Sequence, residues 1–217
     1  MTVLAGVEWA GLDWSVGGLV QGAIAAVAAF LLGSVNTATI LARIFGKDLA
    51  HSGSGNPGAT NAGRVLGAKW GVVVGVLDVL KGYLPVALAG QFIGPIVALV
   101  VGLAVVLGHI WSPFLLGRGG KGVATSLGAI LAVAPWFGLA MVVVFGLLVW
   151  RMRWVAGASV AASLVLLAAG VWSAVASAGF ADRAAGVWCV VVALVVIYRH
   201  RRNIELWVAA RRDSSTG

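Results

Sequence analysis

Apolar residues run almost unbroken through seven stretches of the chain, at about 17–43, 70–90, 92–111, 123–134, 136–150, 154–176 and 185–198, with polar or glycine-rich segments between them. A helix needs about 20 apolar residues to cross the hydrocarbon core of a bilayer. The pattern therefore predicts an all-α polytopic membrane bundle of about seven transmembrane helices, the fourth, fifth and seventh being short. Runs of about 12–15 residues also suit re-entrant or tilted pairs, so the stretch 123–150, divided at Pro135, leaves a count of six open.

Composition agrees. The 217 residues are 61% hydrophobic and only 10% charged, where soluble domains carry about 25% charged residues. No Lys or Arg precedes Arg43, and Glu8 and Asp13 stand before the first apolar run, which is not the pattern of a cleavable signal peptide. With seven spans and the N-terminus outside, thirteen of the fifteen Lys and Arg fall inside; Arg183 falls outside and Lys81 lies within a span. This bias is the positive-inside signature, and it predicts a multi-pass protein of the cell membrane with its C-terminus on the cytoplasmic side. Most of the ten Trp residues lie near predicted span ends, Trp9 and Trp14 among them, as interfacial anchors do. The net charge of +8 reads as topology and attraction to anionic lipid, not as nucleic-acid binding. The lone Cys189, in the last span, allows no internal disulfide and no thiolate metal cluster. No metal-ligand cluster or cofactor motif is evident, and nothing signals an oligomeric state. One membrane domain, 1–206, followed by a short polar tail, 207–217, is the expected organisation.

The chemistry-bearing residues collect on the inner side. Gly33-Ser34-Val35-Asn36-Thr37-Ala38-Thr39 is unusually polar for the end of a span; small hydroxyls there often bond within their own helix or to a neighbour. The segment from His51 to Asn61 is too polar and glycine-rich to cross the membrane. Its glycines allow backbone N–H groups to turn towards one anion, and Asn56, Thr60, Asn61 and Arg64 add side-chain donors. Gly53, Gly55 and Gly58 match the spacing of a dinucleotide fingerprint, but they follow a membrane helix rather than a strand, so that reading fails. Asp78 and Lys81, three apart on one helix face inside a span, read as an ion pair. After His109, the run Gly117-Arg118-Gly119-Gly120-Lys121-Gly122 is no nucleotide P-loop: Leu115 stands where the first glycine belongs and Gly122 where a hydroxyl would hold magnesium. It remains a lysine among glycines at a helix start, a place that favours a phosphate. Past the last span, His200 and Asn203 are three apart and can meet one ligand together, whereas the loose acyltransferase-like spacing of His200 with Glu205 arises readily by chance in so basic a tail.

These residues also carry a family resemblance. Gly33-Ser34, Asp48, Gly53-Ser54-Gly55-Asn56, Gly58-Ala59-Thr60-Asn61, Arg64, Asp78 with Lys81-Gly82, Gly108-His109, Gly119 to Thr125, and His200-Arg201 with Asn203-Ile204 resemble the motifs of bacterial acyl-phosphate:glycerol-3-phosphate acyltransferases of the PlsY type. The resemblance spans about residues 30–206. It implies a seven-helix inner-membrane enzyme that moves a fatty acyl group from acyl phosphate to glycerol 3-phosphate, giving lysophosphatidic acid, the first acylation of phospholipid synthesis. By resemblance Ser34, Lys121, His200 and Asn203 are the catalytic set. Gly55, Asn56, Thr60, Asn61, Arg64, His109, Arg118, Gly119, Gly120 and Gly122 would bind substrate. The chemistry is consistent with the residues, since both substrates carry phosphate, one carries a lipid tail, and an acyl phosphate is already activated.

The chain departs from the family pattern at four positions: Asn36 stands in place of Pro, Ala50 in place of Arg, Leu206 in place of Arg and Arg212 in place of Glu. The cation missing at Ala50 leaves Arg43, Lys47, Arg64 and Arg118 as candidates to replace it. Two other readings stay open: a divergent relative with another phosphorylated acceptor, and a non-catalytic membrane binder or transporter of phosphorylated metabolites.

Overall fold

The computed structural model describes residues 15–177 and 179–213; Trp9, Trp14 and the last tail residues lie outside the described residues. Ten α-helices follow one another, with no strand among the described residues. They are α1 Val16–Ser34, α2 Thr37–Ile44, α3 Ala59–Leu66, α4 Ala68–Phe92, α5 Pro95–Ile110, α6 Val123–Val133, α7 Pro135–Met152, α8 Val155–Ala176, α9 Phe180–Arg199 and α10 Arg201–Asp213.

The seven apolar runs each become helical. Five spans are long and apolar enough to cross a membrane: α1 with α2, α4, α5 with the short 3-10 turn after it, α7 and α8. A sixth is α9, which bends by 54° into α10. The remaining run, α6, has only 11 residues and is packed between α4 and α7 rather than facing lipid along its length. The division at Pro135 is real, because Pro takes the first position of α7, where its missing N–H costs nothing. The fifth run, expected to be short, reaches 18 residues. The segment expected to be a tail from residue 207 continues as helix α10 to Asp213.

Small residues set the helix spacing, as membrane bundles require in the absence of a hydrophobic drive between spans. A Cβ on Gly33 would strike the Val105 carbonyl, and one on Gly108 would strike that of Phe30, so α1 and α5 touch backbone to backbone. Gly82 and Gly128 do the same for α4 and α6, against the carbonyls of Thr125 and Val79. The core centres on α5, whose Val101, Val105, Val106 and Ile110 are buried. Trp188, in the middle of α9, lies in that core against Gly102 and is not an interfacial anchor.

Candidate active site

α1 and α2 form one apolar span broken at Val35 and Asn36. Both residues are extended, and the Asn36 side chain caps α2 by accepting from the Thr39 N–H at 2.8 Å. The exposed backbone of the break is tied down from three sides. Lys81 Nζ donates to the Val35 carbonyl at 2.9 Å, Ser112 Oγ to the Ser34 carbonyl at 2.7 Å, and Asn36 Nδ2 to the Pro57 carbonyl at 2.9 Å. Lys81 also pairs with Asp78 at 2.9 Å, and Thr37 Oγ1 donates to the same carboxylate at 3.3 Å. The ion pair inside the span thus exists, and it holds the break as well as neutralising itself.

The 52–58 loop is shaped from within. Gly53 and Gly55 have φ of +62° and +71°, which other residues seldom adopt. Asn61, buried at the start of α3, accepts from the Ser54 N–H at 2.8 Å and donates to the Ser52 and Leu49 carbonyls at 2.9 and 3.3 Å. A Cβ on Gly53 would collide with that Asn61 side chain.

The second glycine segment folds back on the end of α5. The Gly119 and Gly120 N–H groups donate to the Ile110 and His109 carbonyls, each at 3.1 Å, so these two donors are already used. A Cβ on Gly120 would run into the His109 ring. Gly122, at φ +84°, then caps the start of α6, and Lys121 points at the first turn of α10. There Lys121 Nζ donates to Asn203 Oδ1 at 2.7 Å. Burial, then the nearby Arg199 and Arg64 cations, hold the Lys121 pKa below its ordinary value of 10.5. Arg199 clasps the loop from outside, its Nη2 donating to the Gly119 and Gly120 carbonyls at 3.2 Å. Nothing in the sequence singles out Arg199 beyond its adjacency to His200. His200 is buried at the α9–α10 bend, and its Nδ1 lies 2.8 Å from the Val196 carbonyl. A carbonyl only accepts, so Nδ1 carries the hydrogen and a neutral ring offers Nε2 as an acceptor.

These parts surround one cavity of about 960 Å³. Its polar end carries Asn56, Thr60, Arg64, Lys121, His200 and Asn203, with Asn61, Gly122, His109 and Asp78 also on its wall. The rest of the wall is mostly apolar, with Leu127, Ile130, Phe145, Leu166 and Val192 on the surrounding helices, and also carries Arg153, Ser54, Ser126, Ser159 and Ser163. His109 Nδ1 is buried without a hydrogen-bond partner and stands 3.9 Å from Asp78 Oδ1. Ser34 is fully buried beside this site, its Oγ donating to the Phe30 carbonyl at 2.7 Å, and does not line the cavity. Gly55 and Arg118 line a different cavity. Glu205 is exposed on α10.

An open vestibule with cations at one end and a greasy channel at the other suits an amphiphile whose charged head carries phosphate. Comparison with known proteins agrees with that chemistry. Residues 23–210 match the family model described as glycerol-3-phosphate acyltransferase. A glycerol-3-phosphate acyltransferase of Aquifex aeolicus is 39% identical over 186 residues, covering 84% of this chain and 93% of that protein. One of Trichlorobacter lovleyi is 40% identical over 202 residues, covering 92% and 95%. Among solved structures, PlsY, an integral membrane glycerol 3-phosphate acyltransferase, superposes in its glycerol 3-phosphate form with a TM-score of 0.79 at 37% identity, covering 88% of this chain and 94% of that one. Its lysophosphatidic acid form gives 0.76 at 38% identity.

Proposed function

The chain belongs to the glycerol-3-phosphate acyltransferase family, and we propose that it transfers a fatty acyl group from acyl phosphate to glycerol 3-phosphate, releasing lysophosphatidic acid and inorganic phosphate. It is a multi-pass membrane acyltransferase.

The observation that carries it is that the Lys121–Asn203 contact sits on the wall of the 960 Å³ cavity, joining cationic and amide side chains to an apolar lining. The apolar end holds the acyl chain and brings its carboxyl carbon to this junction. Lys121 and Arg64 neutralise phosphate, and Asn56 and Thr60 supply uncharged hydrogen bonds around it. A glycerol hydroxyl oxygen attacks the acyl carbon, forming the ester C–O bond. The bond from that carbon to the phosphate oxygen then breaks, and the departing phosphate takes the hydroxyl proton. Phosphate is a good leaving group, so the protein's task is to hold two anions in line and stabilise the developing oxyanion. His200, through Nε2, orients the attacking hydroxyl. Asn203 aims the Lys121 ammonium. Ser34 acts from beneath the site, its carbonyl accepting from Ser112 just past α5 and its hydroxyl bonding back to Phe30 within α1.

The inward orientation is supported by Arg64, Lys121 and Arg153, which the topology places on one side and which line one cavity. The reaction is tested with purified protein in lipid, offering labelled glycerol 3-phosphate with acyl phosphate, acyl-CoA or acyl carrier protein donors. Product from acyl phosphate alone is the expected result; product from a thioester donor, or none from folded protein, refutes the proposal.

A further inference from the structure

A second cavity, of about 440 Å³, lies across the 52–58 loop from the first. Three cations from separate segments line it: Arg43 from the last turn of α2, Lys47 from the turn that follows, and Arg118 from the glycine segment after α5. Ala50 and Thr39 complete the wall on the α2 side. The carboxylate on the wall, Asp48, is already engaged: it accepts from the Ala50 N–H at 2.8 Å and pairs with His51 Nδ1 at 2.7 Å. Those bonds hold its pKa below the ordinary carboxylate value, so it stays an anion committed to His51 and Ala50.

Topology accounts for cations on the inner side, but not for three of them around one concavity. Like charges gathered this way repel, and a bound anion relieves the repulsion. We propose that this cavity is a second anion site, taking the phosphate group of a small soluble phosphorylated molecule or of a phosphorylated lipid headgroup. The loop is the shared wall. Gly55 and Pro57 face the second cavity, whereas Ser54, Asn56 and Gly58 face the first. Asn36 fastens Pro57, and Asn61 fastens Ser52 and Ser54, so the wall is rigid and a phosphate on Arg118 stands one loop away from the Lys121 site. Three of the four candidate substitutes for the absent arginine thus meet at the very cavity that Ala50 lines. The assignment rests on this geometry and not on the identity of the acyl donor.

Inorganic phosphate binding to the purified full chain in zwitterionic detergent, followed by titration calorimetry, tests it. Two classes of site are expected, one for each cavity. The variant R43Q/K47Q/R118Q should weaken one of them at least tenfold and keep the other, while Lys121→Ala should do the reverse. All three substituted side chains are exposed, and Ala50→Glu, an exposed change on the same wall, gives an independent variant that should weaken the same site. Displacement from this site in the Lys121→Ala protein separates the sources: a lower displacing concentration for glycerol 3-phosphate marks a soluble ligand, and one for short-chain phosphatidic acid marks a headgroup. A single phosphate site in the wild type, or unchanged binding in both the triple variant and Ala50→Glu, overturns the proposal. Acyl transfer measured on the same preparations is a separate readout, so loss of the second site and failure of the reaction are told apart.

Discussion

Lys121 Nζ and Asn203 Oδ1, 82 positions apart in sequence, meet at 2.7 Å and join the glycine segment to the first turn of α10. The two act together: the ammonium supplies charge, and the amide oxygen fixes where that charge points. A charge-assisted hydrogen bond to phosphate contributes about 1.5–3 kcal/mol, so Lys121→Ala should lower kcat/KM by about 10–100-fold or more. Asn203→Ala leaves the charge but frees its direction and should cost less, about tenfold. Steady-state kinetics on folded variants measure both. Lys121→Ala with unimpaired transfer would remove this residue from the mechanism.

The lowered Lys121 pKa has a direction that kinetics can read. The cation binds phosphate, and it loses its proton at a lower pH than an ordinary lysine, so kcat/KM should fall on the alkaline side earlier than 10.5. Lys121→Arg keeps the charge and should move that limb upward. For stability the sign is opposite. The unfolded chain holds this proton more tightly than the folded one, so the charged lysine is a cost at neutral pH, relieved as pH rises from the folded towards the unfolded value. Identical alkaline limbs in the wild type and Lys121→Arg would contradict the assignment.

The Asp78–Lys81 pair is buried and holds the α1–α2 break through the Val35 carbonyl and Thr37. Removing one member strands the other, which costs about 3–5 kcal/mol in buried pairs. Lys81→Met should therefore lower Tm in detergent sharply, and D78N/K81M should recover most of the loss. If the double variant is as unstable as the single, the loss comes from the missing Lys81 bond to the Val35 carbonyl and not from a stranded carboxylate.

What sequence could show was set by the physics of each feature. The spans were legible because hydrocarbon demands long apolar runs, and the Pro135 division because proline belongs at a helix start. His200 and Asn203 were legible as a pair because helical spacing puts them on one side. The break at Val35 was signalled only by the polar run from Ser34 to Thr39, where Asn36 caps α2 locally, since its cross-links come from Ser112, Lys81 and Pro57, distant in sequence. The glycines were legible as a phosphate-type segment, but not how their bonds are spent. Gly119 and Gly120 give theirs to α5, Asn61 braces its own loop, and Gly55 and Arg118 face the second cavity. Such partition depends on how two loops pack, which local pattern does not encode. The helix beyond residue 207 was hidden by its charge, and Trp207, stacked on Trp154 at 5.8 Å, is one of its anchors.

Gly120 tests whether close packing, rather than an open backbone, is what the glycine segment provides. A methyl group there meets the buried His109 ring, and overpacking of this kind typically costs about 1–3 kcal/mol. Gly120→Ala should lower Tm and displace Lys121, reducing kcat/KM. G120A/H109A should restore much of the stability by making room. Gly117, with open space around it, offers a comparison in which the strain comes from its φ of +77° alone.

The apolar end of the main cavity makes chain length a matter of volume. Val192 on α9 and Leu166 on α8 are buried and line that end, away from Lys121. Each methylene of a bound chain contributes about 0.8 kcal/mol when it leaves water. A bulky residue therefore excludes the last methylenes of a long chain without touching the phosphate end. Val192→Phe should raise KM for long-chain acyl phosphates by roughly tenfold for each two methylenes displaced, while leaving short-chain donors close to wild type. The measurement is kcat/KM across a series of donor lengths. A uniform fall at every length would mean that the substitution disturbs the helix packing, and an unchanged series would mean that the acyl chain lies elsewhere, along the lipid-facing side of the bundle.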